Sequence, residues 1–145
     1  MKKLVFIISF FLLIYFFPQH IKITLADNII AQNNNSDQLL KNAFNKKISN
    51  FQVQSQGVVI KILKDDLEGG KHQRFILKLN TGQTLLIAHN IDLSPRINNL
   101  KVGDVVSFFG EYEWNAQGGV IHWTHKDPQG KHPHGWLKHK DKIYH

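Results

Sequence analysis

Gly110-Glu111-Tyr112-Glu113-Trp114, then Asn115-Ala116-Gln117-Gly118-Gly119, then Val120-Ile121-His122-Trp123-Thr124-His125-Lys126-Asp127: this run decides how the rest of the chain is read. Two aromatic-rich strands flank a loop that ends in Gly-Gly, which is a β-hairpin pattern. The same stretch gathers Glu111, Glu113, His122, His125, Trp114 and Trp123. A hairpin needs none of those charged side chains in order to fold. The stretch therefore marks a fold element and a candidate site at once.

Outward from it, Val105 to Trp114 alternates. Val106, Phe108, Tyr112 and Trp114 share one face, and Phe109, Glu111 and Glu113 share the other. The fifth strand is expected from Val120 to about His125. Upstream, Asn90 to Lys101 carries Pro95 and Asn98-Asn99 and is expected to be irregular. His72 to Leu79 and Gln83 to His89 read as two strands joined by the tight turn Asn80-Thr81-Gly82. Phe51 to Leu63 reads as a long strand, with Gly57 suited to a bend or bulge. This order predicts a mainly β protein, a small five-stranded Greek-key barrel of the oligonucleotide/oligosaccharide-binding (OB) type. An open antiparallel sheet with a helix is the other arrangement the pattern allows.

The ends of the chain speak to export. Met1-Lys2-Lys3 is basic, Leu4 to Phe17 is almost unbrokenly apolar, and Thr24-Leu25-Ala26 offers small residues before Asp27. This is the pattern of a cleaved signal peptide, because the apolar run is short of the about 20 residues a membrane span needs. An uncleaved segment would be the protein's sole tie to a membrane. The expected location is periplasmic or extracellular. The expected organisation is a signal peptide over 1–26, an Asn-rich flexible lead-in and short helix over 27–50, the barrel over 51–127, and a His/Lys-rich extension over 128–145 partly docked on it. The formal charge is +7, and loss of Lys2, Lys3 and Lys22 with the signal leaves +4. That mild excess permits an anionic partner without demanding one. The chain has no cysteine, which excludes a lipid-anchored cysteine, disulfides and thiolate metal sites. No Gly-rich phosphate loop or serine nucleophile elbow is visible.

His72-Gln73-Arg74-Phe75, His89-Asn90-Ile91-Asp92-Leu93, Gly110-Glu111-Tyr112-Glu113-Trp114 and His122-Trp123-Thr124-His125 together resemble a family of bacterial exported proteins of unknown function, marked by the His-Trp-Thr-His motif. The resemblance spans about Gln56 to His145 and implies no activity. A weaker likeness joins Leu85-Leu86-Ile87 and Ile91-Asp92-Leu93-Ser94-Pro95 to thermonuclease-like barrels, although Arg96 stands where those carry Glu.

Three groups can carry chemistry. Glu111, Glu113, His122 and His125 are the candidate metal ligands. On a regular strand His122 and His125 point to opposite faces, so joint ligation requires the strand to end or twist near Thr124. If Glu113 pairs with His122 across the hairpin, Glu111 meets Thr124; a shift by one pairs Tyr112 with His122. His89, Glu113 and His122 are the candidate catalytic groups, since a carboxylate beside an imidazole suits a general base or a metal ligand. Arg74, His89, Asp92, Arg96, Trp114 and Trp123 are the candidate ligand-binding set, the arginines offering bidentate contacts to phosphate or carboxylate. Asp65, Asp66 and Glu68 form an acidic loop able to attract a hard cation, or simply a solvated turn.

Three functions fit these residues: a barrel binding an anionic ligand such as nucleic acid or an envelope glycan; a metal-assisted phosphodiesterase; or a structural envelope protein. Binding leads slightly over catalysis, and a divalent metal is the one cofactor implied.

Overall fold

The computed structural model describes the backbone of residues 4–145 and the side chains of residues 24–145. The chain divides into two units, Met1–Gln32 and Asn33–His145. One helix, α1 (Leu4–Lys46), precedes seven strands: β1 (Phe51–Ile62), β2 (His72–Lys78), β3 (Thr84–Asn90), β4 (Val105–Glu113), β5 (Val120–His122), β6 (Trp136–His139) and β7 (Lys142–Tyr144). The strands run in the order β1-β2-β3-β5-β4-β6-β7, and β1 also pairs with β4. That last pairing closes the first five strands into a barrel. All its neighbours are antiparallel except β3 and β5, which run parallel. The protein is thus a mainly β, closed five-stranded barrel with one N-terminal helix, as the alternation predicts.

The inward residues follow the period of two. Val53, Val59, Phe75, Leu77, Leu85, Ile87, Val106, Phe108, Tyr112 and Ile121 form one buried cluster, closed from α1 by Leu40 and Ala43. Removing this apolar surface from water is the main drive for closure. Two polar ties fix the irregular segments to the strands. The Gln73 amide bonds both the N–H and the C=O of Ile97, anchoring the β3–β4 crossing. Asp37 of α1 accepts from the Ser55 hydroxyl at 2.6 Å and from the Asn80 amide at 3.1 Å.

Four elements differ from expectation. The Asn-rich stretch 27–35 is helical, not a flexible lead-in. Within the second unit Asn33 and Asp37 are buried, so packing there overrides their weak helix propensity. The helix stops where Lys47 turns left-handed (φ 56°) and Ile48 N–H reaches back to Ala43 O, a Schellman-type end made without glycine. In β1 the register slips between Val59 and Lys61, so the bulge falls at Ile60 and not at Gly57. The C-terminal extension is a regular hairpin, β6–β7, with β6 paired to β4 and Leu137 fully buried. Finally β5 ends at His122, three residues early, because Trp123 takes a left-handed backbone (φ 53°).

Of the expected export segment, 1–26, the side chains of 1–23 lie outside the described residues. Among the described residues no helix is long and apolar enough to cross a membrane.

Candidate metal centre

The hairpin register decides the site. Glu111 pairs with His122, Tyr112 with Ile121 and Glu113 with Val120. Neither register considered from the sequence is adopted. The loop Asn115–Gly119 sets the pairing: the Asn115 side-chain oxygen accepts from Gln117 and Gly119 N–H, and Gly118 and Gly119 both take positive φ. Glu111, Glu113 and His122 then face outward on adjacent strands. On the far side of β4, Gln52 of β1 pairs with Glu111 and extends the row.

His122 Nε2 lies 3.4 Å from Glu111 Oε1 and 3.9 Å from Glu113 Oε1. One donor atom from each of the three residues falls within 4.8 Å of the others. Ligands about 2.0–2.2 Å from a tetrahedral ion stand roughly 3.3–3.6 Å apart, so the spacing suits a single zinc-like cation. His122 Nε2 is buried and makes no hydrogen bond. Burial holds the His122 imidazole below its ordinary value, against the pull of Glu111 and Glu113, so it is neutral near pH 7. A neutral imidazole between two carboxylates, bonded to neither, is poised to accept a cation.

A fourth group comes from the chain beyond β5. His132 Nε2 lies 2.8 Å from Glu111 Oε2 and 3.3 Å from the Gln52 amide nitrogen. The His132 ring stacks on Trp123 with centroids 4.0 Å apart and planes 11° from parallel. Asp127 shapes the loop that delivers it, its carboxylate accepting from the N–H groups of Gln129, Lys131 and His132. Those bonds hold the Asp127 carboxyl below the usual carboxylate range. Sequence reading missed His132 and Gln52. The Asp127-Pro128-Gln129-Gly130 turn was the available signal for a tight return.

The remaining expected residues are placed elsewhere. His125 does not join the cluster; its Nδ1–H donates to Lys126 O, and the side chain is buried. A regular strand would set the two histidines on opposite faces, and although Trp123 turns left-handed after His122, that turn does not bring a His125 nitrogen into the cluster. His89 points inward and is fully buried. Its Nε2–H donates to Pro95 O and its Nδ1 accepts from the Thr124 hydroxyl at 2.8 Å. Burial pushes its pKa down to about 4. Arg96 forms a two-pronged pair with Asp65, at 2.8 and 3.2 Å. Arg74 donates twice to Lys64 O and stands 3.8 Å from Asp66. Asp92 accepts from the Lys71 amide at 2.8 Å. The Trp114 indole donates to Phe44 O and stacks on Phe44, locking α1 to the barrel. The acidic loop is likewise engaged, Asp65 by Arg96 and Asp66 by the Glu68 amide.

Fold and site together define a small OB-like barrel protein with a candidate metal centre on its outer wall. Over residues 22–145 the chain matches the family described as protein of unknown function DUF3465, and it belongs to that family. No curated protein matches it.

Proposed function

We propose that this barrel works outside the cytoplasm and binds one first-row divalent cation through Glu111, Glu113 and His122. The ion then holds an oxyanion of a larger ligand. One observation carries the reading: three donor atoms of the right kinds converge within 4.8 Å on a buried, unbonded imidazole nitrogen. The ion supplies positive charge that the arginines do not, because Arg96 is consumed by Asp65 and Arg74 by the β1–β2 loop. Export is supported by the basic start and apolar run ahead of Thr24-Leu25-Ala26.

A second reading is metal-assisted hydrolysis of a phosphodiester. It is favoured by the ligand count, since three protein ligands leave a position open for water, the pattern of catalytic zinc sites. His132, beside Glu111, is placed to carry a proton.

Metal analysis of the purified protein tests the first reading. About one equivalent of tightly held cation is expected, removable by EDTA and lost in His122→Ala and Glu113→Gln. An ion content at background, or one indifferent to both substitutions, overturns it. EDTA-sensitive cleavage of plasmid DNA by the loaded protein selects hydrolysis; its absence rejects that reading and leaves binding.

A further inference from the structure

Beside the cluster lie two cavities, of about 220 and 440 Å³. Leu93 and Trp123 line both, so the two form one groove divided by that pair. His122 lines the smaller side and His132 the larger, and both contact Glu111. The metal cluster therefore adjoins the smaller half through His122, and Glu111 reaches the larger half through His132.

The chemistry of the smaller half is specific. His125 is 4% exposed, and its Nδ1–H is spent on the Lys126 carbonyl. In that neutral tautomer its Nε2 is a hydrogen-bond acceptor. His72 repeats the arrangement, donating Nδ1–H to Gly70 O at 2.7 Å. Asn90 uses its side-chain oxygen on the N–H groups of Asp92 and Leu93, which leaves its NH2 group to donate into the cavity. Besides His122, the lining thus offers two acceptors and a donor, with apolar walls from Ala88, Leu93 and Trp123, and no Arg, Lys, Asp or Glu. The three imidazoles are too far apart to share one ion, since the one close donor group among the described residues is the Glu111 cluster.

An uncharged group that both donates and accepts, and that has an apolar face, satisfies such a wall. A sugar ring does this: its hydroxyls serve His72, His125 and Asn90, and its C–H face packs on an aromatic. At about 30 Å³ per water, a 220 Å³ space holds one ring. The larger half accepts its neighbour.

We propose that this groove binds an oligosaccharide, with one ring in the smaller half, its neighbour in the larger half, and the linkage between them crossing Leu93 and the edge of Trp123 on the side of His122. A metal ion beside that linkage rests on the metal reading above; the groove itself does not. Nucleic acid is disfavoured because Lys131 is the one lysine or arginine in the two linings, too few to follow a phosphate backbone.

The test is titration of the full chain, metal-loaded and EDTA-treated, with soluble tetrasaccharides of the glucan, xylan and N-acetylglucosamine types and with oligothymidylate. Calorimetry and histidine side-chain NMR shifts are the readouts. Saturable binding of at least one saccharide is expected in both metal states. An affinity loss of about tenfold is expected in His72→Leu and Asn90→Ala, which are less buried than His125 and safer for folding, and in His125→Leu. Failure of every saccharide in both metal states overturns the proposal, as does preferential binding of oligothymidylate or unchanged affinity in His72→Leu and Asn90→Ala. Saccharide binding by a protein that holds no metal sinks the metal reading and leaves this one standing.

Discussion

His132 Nε2 sits 2.8 Å from Glu111 Oε2, although 21 residues separate the two in the chain. The contact exists because β5 stops at His122, Trp123 turns left-handed, and Asp127 folds the following loop back over β4. A bulky residue at positive φ is an outlier costing on the order of 1–3 kcal/mol, and such strain gathers at functional sites. Here the strained residue is also the shelf on which His132 lies.

Replacing His122 by Ala is expected to lower divalent-cation affinity by at least about a hundredfold, since it removes the one nitrogen ligand. Folding stability without metal should change little, because the ring is one-third exposed and makes no hydrogen bond through Nε2. Competition with a chromogenic chelator measures the first effect and urea unfolding in EDTA the second.

Asp127→Ala should release the loop and not the barrel. Loss of three backbone bonds frees His132, so metal affinity is expected to fall about tenfold, the usual effect of an outer-shell partner. The His132 and Trp123 ring signals should lose the mutual shifts of a stacked pair. Unchanged ring shifts would show that the loop holds itself without Asp127.

Metal removal should lower stability in proportion to occupancy. At a free ion concentration about a hundred times Kd, binding adds about 2.7 kcal/mol. EDTA should therefore reduce Tm in the wild type and leave Tm of Glu113→Gln nearly unmoved, which a pair of thermal melts decides.

His89 should make the fold acid-sensitive. Its pKa is about 4 in the folded state against 6.5 when unfolded, so the unfolded chain binds more protons between those values. Stability is then full above about pH 6.5 and falls as pH drops toward 4, by up to about 3 kcal/mol. Urea midpoints across that window should slope downward with acid. In His89→Gln, which starts less stable, the slope should flatten.

Gly110→Ala should damage both fold and site. A Cβ there would lie 2.5 Å from the His122 carbonyl oxygen and 2.9 Å from Ile121 and Thr124 side-chain carbons. Backbone must shift to admit it, costing roughly 2 kcal/mol or more. The same shift moves His122, so cation affinity should fall with stability, whereas Ala at exposed Gly69 should leave affinity unchanged.

The strand pattern was legible because it is local. Alternation in Gln73–Leu79 and Val105–Glu113 names the buried face whatever the partner strands are, and the Gly118-Gly119 loop names the hairpin. The Glu111–Glu113–His122 cluster was legible for the same reason: all three sit on one hairpin, and only the register was open. The anion-binding set was harder to place. Arg74, Arg96 and Asp92 look free in a sequence, but Lys64, Asp65 and Lys71 engage them from the one β1–β2 loop. Nothing near His132 in the sequence names Glu111 as its partner.

Residue order by itself thus determined a barrel of alternating strands and the outward polarity of its central hairpin, since side-chain direction in a strand repeats every two residues. Tertiary structure alone decided which polar groups meet. That depended on one left-handed residue, Trp123, and on a buried His89–Thr124 contact that seats the chain beneath it. Contacts of this kind are made by side chains 21 to 35 residues apart, and no local preference records them.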